Sequence, residues 1–392
     1  MTNRESLKSV RKKVKKGIID KDVQKYVGKR LKKVFENKKN RRRFSINLTA
    51  EGSAAVGVQV RKSSDLDFSV KILISKRQIE LSGKALKHMF KKDDKDYTHK
   101  KETIVSKYVF LEKRYYPKKD RKLKRKRHPP DIPIWYRAVS IGKDDAARFP
   151  ACCIKERGKN WLLPYRILFD FRQFIQNAIS EYNDVSLKRG ARGPAVTLTI
   201  KLGGRPKISV DITLKLTLSH RTLKIKNFPW PRDDTGNWLT KEKINKVTCK
   251  RIILVPKGDK YWKISFANCE NEILKDIDTD NTCRKRCLRK MKKKFMLWKT
   301  KSTTKFEGLS TYLLKTTLLW MCEQFPKDKD WSKAKLHDCY RNFLHLFAGR
   351  LSKRNIGEYF NPSVNLLENK DEECMDELIE FLDEECTSLS RW

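Results

Sequence analysis

Two hydrophobic periods organise this chain. From Asp65 to Ile72 polar and apolar residues alternate, the period of a half-buried strand: Asp65, Asp67, Ser69 and Lys71 fall on one face, Leu66, Phe68, Val70 and Ile72 on the other. Lys207 to Leu214 alternates in the same way, with Ile208, Val210, Ile212 and Leu214 inward and Asp211 among the polar positions. This run extends over 207–218, and further strands are expected at 194–200, 250–256 and 261–267. Elsewhere the spacing is three or four. Leu7, Val10, Val14 and Ile18 make one stripe, and Val23, Val27, Leu31 and Val34 continue it after a reset near Asp20. Ile79 to Lys92 reads as a short helix and Leu162 to Asn183 as a longer one. Asn227 to Thr240, with Trp230, Pro231 and Trp238, reads as an irregular surface segment. From Asn281 onward, Leu288–Trp298, Leu309–Cys322, Leu336–Leu351 and Met375–Leu382 all carry helical spacing. The expected architecture is α+β: a mixed twisted sheet with helices, then a C-terminal helical lobe.

Composition sharpens this picture through charge. The 392 residues hold 91 Lys and Arg against 47 Asp and Glu, a formal net charge of +44. That excess surpasses what solubility asks and implies a polyanionic partner, nucleic acid before anionic membrane. The candidate surface is the polar side of the N-terminal stripe: Lys12, Lys13, Lys16, Lys29, Lys32, Lys33, Arg41, Arg42 and Arg43. A second basic block, Lys118 to Arg127, reads either as a mobile loop or as a phosphate-contacting one. The stretch from Glu368 to Cys386 is acidic, so the partner surface lies elsewhere. No apolar run is long enough to cross a membrane, and the N-terminus has no apolar segment of a secretory signal. Ten scattered cysteines suggest free thiols in a reducing compartment. The expected location is cytoplasmic, with the nucleus as the alternative.

The chemistry gathers on the alternating strands. Two carboxylates two positions apart project from one strand face about 7 Å apart, a suitable spacing for gripping hard divalent cations. The pair Gly52-Ser53, twelve residues before Asp65, offers small residues whose backbone N–H groups can approach a triphosphate. Asp211, on a neighbouring strand, supplies the third carboxylate for holding two metal ions around an attacking oxygen.

Gly-Ser, then Asp-x-Asp, then a lone strand aspartate resembles the nucleotidyltransferase superfamily. Segments 194–200, 206–214, 253–257, 262–266, 271–274 and 310–316 resemble cyclic GMP-AMP synthase, in order and over nearly the whole chain. The chain is therefore identified as similar to the cyclic GMP-AMP synthase-like receptors of the Mab-21 family. That resemblance implies a bilobed nucleotidyltransferase fold: a basic N-terminal spine helix region (1–43), a nucleotidyltransferase core (44–280) and a C-terminal helical lobe (281–392). It implies catalysis by Asp65, Asp67 and Asp211 through two Mg²⁺ or Mn²⁺ ions, with Gly52 and Ser53 on the β- and γ-phosphates of ATP and GTP. Lys257, Lys263, Ser265, Glu270, Lys292, Ser310 and Tyr312 match the family's nucleotide pocket. Lys263 stands where an arginine is usual and Ala267 where a serine is usual, so base preference stays open.

The resemblance also implies a nucleic-acid-activated sensor of innate immunity that makes a cyclic dinucleotide. The zinc thumb of the vertebrate enzymes is shortened here to Lys275–Cys283. Cys283 and Cys287 lack the partners for a four-ligand site and read as helix-face thiols, so no zinc is expected. Thumbless relatives point to double-stranded RNA as activator, with double-stranded DNA as the alternative and dimers on the duplex compatible with either. A linear oligonucleotide synthetase and a catalytically silent Mab-21-like protein are the rivals.

Overall fold

A computed structural model describes residues 3–15, 21–36, 43–44, 49–50, 65–74, 79–82, 136–156, 158–188, 195–202, 207–218, 230–257, 261–368 and 370–390. In chain order the elements are α1 (Asn3–Lys15), α2 (Lys21–Glu36), β1 (Thr49–Ala50), β2 (Asp65–Lys71), β3 (Glu80–Ser82), β4 (Tyr136–Ile141), α3 (Lys143–Arg148), β5 (Cys153–Glu156), β6 (Lys159–Leu162), α4 (Pro164–Ile179), β7 (Val185–Leu187), β8 (Ala195–Lys201) and β9 (Lys207–Leu218). Then follow α5 (Lys241–Thr248), β10 (Ile252–Lys257), β11 (Tyr261–Ser265), α6 (Ala267–Lys275), α7 (Arg284–Lys301), α8 (Thr311–Gln324), α9 (Leu336–Ser352) and α10 (Glu372–Ser390). The architecture is α+β, as the periodicity implied.

The chain divides into two compact units. The first comprises Met1–Leu73, Phe171–Leu254 and Ser265–Trp392. Its sheet is built on β9, which pairs parallel with β2 and antiparallel with β8, while β1 flanks β2 and β7 flanks β8. The far end of β9 pairs Leu216–Leu218 with Ile252–Leu254 of β10. The alternation did its work: Leu66, Phe68, Val70, Ile208, Val210, Ile212 and Leu214 are all buried. Helix α2 packs its Val23, Val27, Leu31 and Val34 stripe inward, and Gly28 brings it against the ring of Phe68. Phe35 and Phe44 meet Phe171 and Phe174 of α4 with ring centroids 5.1–5.7 Å apart. Arg30 of α2 reaches Asp184 at 2.8 Å and ties the helix to the turn before β7.

The same unit holds the helical lobe. Leu288, Met291, Phe295 and Trp298 of α7 pack with Leu314 and Leu318 of α8, Phe343 and Phe347 of α9, and Leu378 and Leu382 of α10 in its buried core. The acidic α10 is not a solvated tail. Desolvation pushes the carboxyl of its Glu377 up, but hydrogen bonds from the Thr304 and Ser302 hydroxyls, and then from the backbone N–H groups of Thr303 and Thr304, outweigh it and hold the group well below the usual range, at about 2.

The second unit comprises Ile74–Asp170 and Val255–Ile264. Strand β4 pairs antiparallel with β3, β6 and β11, and β5 closes a hairpin on β6. Ala138, Ile154, Trp161 and Leu163 form its small core, and Trp262 donates its indole N–H to the Leu162 carbonyl at 3.0 Å.

Three expectations change. Residues 80–82 lie in a strand, not in the helix expected at 79–92, because pairing with Ala138–Ser140 overrides the local spacing; positions 83–92 lie outside the described residues. Trp230 is buried against Phe360 rather than lying on a surface segment, and Asp233–Asn237 form a 3₁₀ turn. Finally, Cys283 precedes α7 instead of lying on its face, and both it and Cys287 are buried.

Candidate active site

The site grows from the parallel pairing of β2 and β9. Asp67 stands directly opposite Asp211 in register, and Asp65 opposite Ser209. In-register residues of a parallel pair share a face, and neighbouring strands run about 4.8 Å apart, so the Asp67 and Asp211 carboxylates leave the sheet side by side. Both are half-buried. The side chain of Asp65 and the whole of Gly52 and Ser53 lie outside the described residues. Thr197, opposite Asp211 on β8, donates its hydroxyl to Asp211 Oδ1 at 2.6 Å and fixes that carboxylate's rotamer.

A buried lysine lies near Asp67. Lys292 is buried on α7, and burial, with Lys315 beside it, pushes its ammonium down to about 8, while Asp67 opposes that shift. Lys315 of α8 was not anticipated. It lies three residues after Tyr312, on the same helix face, and its ammonium sits 4.9 Å from the centroid of that ring. That i, i+3 spacing was the available signal.

The remaining pocket candidates divide. Ser310 caps α8, accepting from the Tyr312 backbone N–H at 3.3 Å. Tyr312 donates its hydroxyl to buried Glu270 at 2.7 Å, and Glu270 also pairs with Lys315. Burial drives the Tyr312 hydroxyl well above its ordinary range. Ser265 ends β11, where its hydroxyl meets the Ala267 backbone N–H at 3.4 Å. Lys263 is exposed on β11 in the second unit; Lys257 ends β10, and its side chain lies outside the described residues.

Cations of the hard divalent class suit this donor set. Asp67 and Asp211 present oxygen ligands on one face, with the buried Lys292 near Asp67. Among the described residues no cluster of three metal-ligating side chains stands together.

In the loop before α7, Asp278 caps the start of the helix. Its carboxylate accepts from the Arg284 and Lys285 backbone N–H groups, both at 2.8 Å. N–H groups at the positive end of a helix have no intrahelical acceptor, so a nearby carboxylate is favoured there. Buried Arg284 then bonds the Ile277 carbonyl and Asp328.

The N-terminal basic residues are placed in part. Lys12, Lys29, Lys32 and Lys33 are exposed, and Lys32 lies 3.7 Å from Glu36. Lys13 pairs with Asp22 at 2.6 Å, and Arg43 lies over the Phe44 ring at 5.8 Å. Lys16, Arg41 and Arg42 lie outside the described residues.

Comparison with known proteins settles the family. Residues 55–276 match the Mab-21 protein nucleotidyltransferase domain and residues 283–384 the Mab-21 protein HhH/H2TH-like domain. The chain belongs to the Mab-21 family. It is 32% identical over 234 residues to cyclic GMP-AMP synthase of Sus scrofa, covering 53% of this chain and 45% of that protein. It is 24% identical over 221 residues to protein mab-21-like 3 of Danio rerio, covering 55% and 54%. A cyclic GMP-AMP synthase-like receptor of Magallana gigas is 26% identical over 211 residues, covering 48% and 35%. The matches thus span about half or less of these relatives' lengths. No helix among the described residues is long and apolar enough to cross a membrane.

Proposed function

We propose that this Mab-21-family chain is a nucleotidyltransferase that joins two nucleoside triphosphates into a cyclic dinucleotide when duplex nucleic acid, double-stranded RNA foremost, binds its N-terminal basic face. The observation that carries the reading is the side-by-side placement of Asp67 and Asp211 with buried Lys292 near Asp67. Asp65, Asp67 and Asp211 would hold two Mg²⁺ or Mn²⁺ ions. Bound there, such ions activate an attacking ribose hydroxyl and stabilise the leaving pyrophosphate. Thr197 keeps Asp211 oriented; Lys292 and Lys315 balance phosphate charge; Gly52 and Ser53 contact the triphosphate, and Tyr312 supports a base. Ser265, Glu270 and Ser310 complete the proposed pocket for ATP and GTP, with Lys257 and Lys263 as separate nucleotide-binding candidates.

The proposed division of labour is a spine over 1–43, a catalytic core over 44–280 and a helical lobe over 281–392. The exposed Lys12, Lys29, Lys32 and Lys33 suit sequence-independent contact with phosphates. The short Lys275–Cys283 loop, closed by Asp278 on α7, favours RNA over DNA in this reading, because it leaves no thumb to grip a DNA groove.

The test is synthesis from radiolabelled ATP and GTP with Mg²⁺, without ligand, with long double-stranded RNA, and with long double-stranded DNA, followed by phosphatase. The expected result is a phosphatase-resistant product with RNA alone, absent in Asp67→Asn, which still binds RNA. A product with DNA alone overturns the choice of activator. A phosphatase-sensitive ladder favours a linear oligonucleotide synthetase. Silence in every lane, repeated with Mn²⁺, favours a catalytically silent protein like the mab-21-like relatives.

A further inference from the structure

Behind Tyr312 lies a buried arrangement that the proposed chemistry does not use. The Tyr312 hydroxyl is 2.7 Å from Glu270 Oε1 and 3.2 Å from Glu358 Oε1. Glu358 is buried, and its other oxygen accepts the backbone N–H groups of Phe360 and Asn361, both at 2.9 Å. The segment carrying it is anchored on both sides. Trp320 of α8 donates to the Gly357 carbonyl at 2.8 Å, and Arg232 donates to the Tyr359 carbonyl at 2.6 Å. Tyr359 in turn donates its hydroxyl to Glu323 of α8 at 2.9 Å. Glu358 is therefore held rigidly against the helix that carries Tyr312 and Lys315.

Counting protons decides what this geometry means. A phenol has one proton and here faces two carboxyl oxygens. Glu270 is the ionised one, since it pairs with Lys315. The tyrosine proton goes to Glu270, and the Glu358 contact is a hydrogen bond only if Glu358 carries a proton and donates it to the tyrosine oxygen. We infer that Glu358 is a neutral positioning residue for the nucleotide pocket, donating to Tyr312, which donates to Glu270, so that the ring is locked for stacking against a purine. This rests on the nucleotide reading of the site.

The titration agrees with the proton count. Burial first, then the Glu270 charge, push the Glu358 carboxyl up to about 8, against the pull of the Asn361 and Phe360 backbone N–H groups. The groups facing it are Tyr312, Glu270 with Lys315 behind it, and the Cys269 thiol of α6, which burial first and then the Glu270 charge push up. Glu358 binds its proton more tightly folded than unfolded. Its stabilising contribution is thus full below the ordinary carboxyl range and lost as pH rises through about 8.

The test uses the full chain and two readouts: the Kd for Mg·ATP and the urea unfolding midpoint, each from pH 6 to 9.5, for wild type, Glu358→Gln and Glu358→Ala. Glutamine keeps a donor without a titrating proton. The ratio of wild-type to Glu358→Gln Kd cancels the titration of Lys292, which both chains share. Expected is a ratio near one at pH 7 that rises roughly tenfold by pH 9, as the competent fraction falls. Glu358→Ala binds more weakly throughout. A ratio flat with pH, or Glu358→Gln as weak as Glu358→Ala at pH 7, overturns the inference. If wild type binds no Mg·ATP at any pH, the nucleotide reading itself fails. The urea series then still decides the proton: a midpoint that falls with pH in wild type but not in Glu358→Gln sustains it, and parallel curves refute it.

Discussion

Gly28 offers the most direct test of how the N-terminal helices are joined to the strand that carries Asp67. It lies mid-way along α2, and a Cβ placed on it would stand 3.2 Å from Phe68 Cε1 and 3.6 Å from Cζ. Phe68 is the neighbour of Asp67, and its backbone is paired on both sides, to Ala50 and to Ile212. The strand therefore cannot slide; only the ring or the helix can yield. For Gly28→Ala the helix gains about 1 kcal/mol of intrinsic propensity. The ring gives way by a few tenths of an ångström, which offsets part of that gain. The net expectation is neutral to about 1 kcal/mol stabilising. Valine gains less propensity and drives two further carbons into a ring that is only 3% exposed. Overpacking of this kind costs about 1–3 kcal/mol, which sets the expected loss for Gly28→Val. Urea unfolding followed by far-ultraviolet circular dichroism measures both. Synthesis per folded molecule should also drop in Gly28→Val, because displacing Phe68 tilts Asp67 against Asp211. A Gly28→Val chain as stable as wild type would refute the tight contact. A loss above about 2 kcal/mol in Gly28→Ala would show that the ring cannot yield.

Other expectations follow from single contacts. Arg232 is clasped by Glu323 at 2.7 Å and lies 4.4 Å and 4.8 Å from the ring centroids of Trp320 and Tyr359. Arg232→Ala leaves Glu323 buried without its counter-ion and should cost about 2–4 kcal/mol, discounted from the range for a fully buried pair, as the shift in urea midpoint will show. Under the proposed function, duplex RNA binding should weaken with salt by roughly 0.7–0.9 log units per log unit for each neutralised phosphate. Removing both Lys29 and Lys33 should lower that slope by about two contacts in a filter-binding series, and an unchanged slope would place the duplex elsewhere.

Sequence alone determined the parts of this protein that are local and periodic. Alternation in Asp65–Ile72 and Lys207–Leu214 fixes which side chains share a face, since side-chain direction in a strand reverses at every residue. The α2 stripe and the C-terminal helices were legible for the same reason, because burying an apolar stripe demands that spacing. Resemblance in ordered motifs located the family. What periodicity could not supply was everything set by partners distant in the chain. That β2 lies parallel to β9, putting Asp67 beside Asp211 across more than a hundred residues, is a pairing no local pattern encodes. Glu80–Ser82 became a strand because β4 supplied hydrogen bonds that its own spacing did not ask for. Glu358, in a turn without period, gains its meaning only from being buried against Tyr312 and Glu270. The lowered pKa of Lys292 and the raised pKa of Glu358 likewise arise from burial and neighbouring charge. Those are properties of the folded environment, and the identity of a residue carries no record of them.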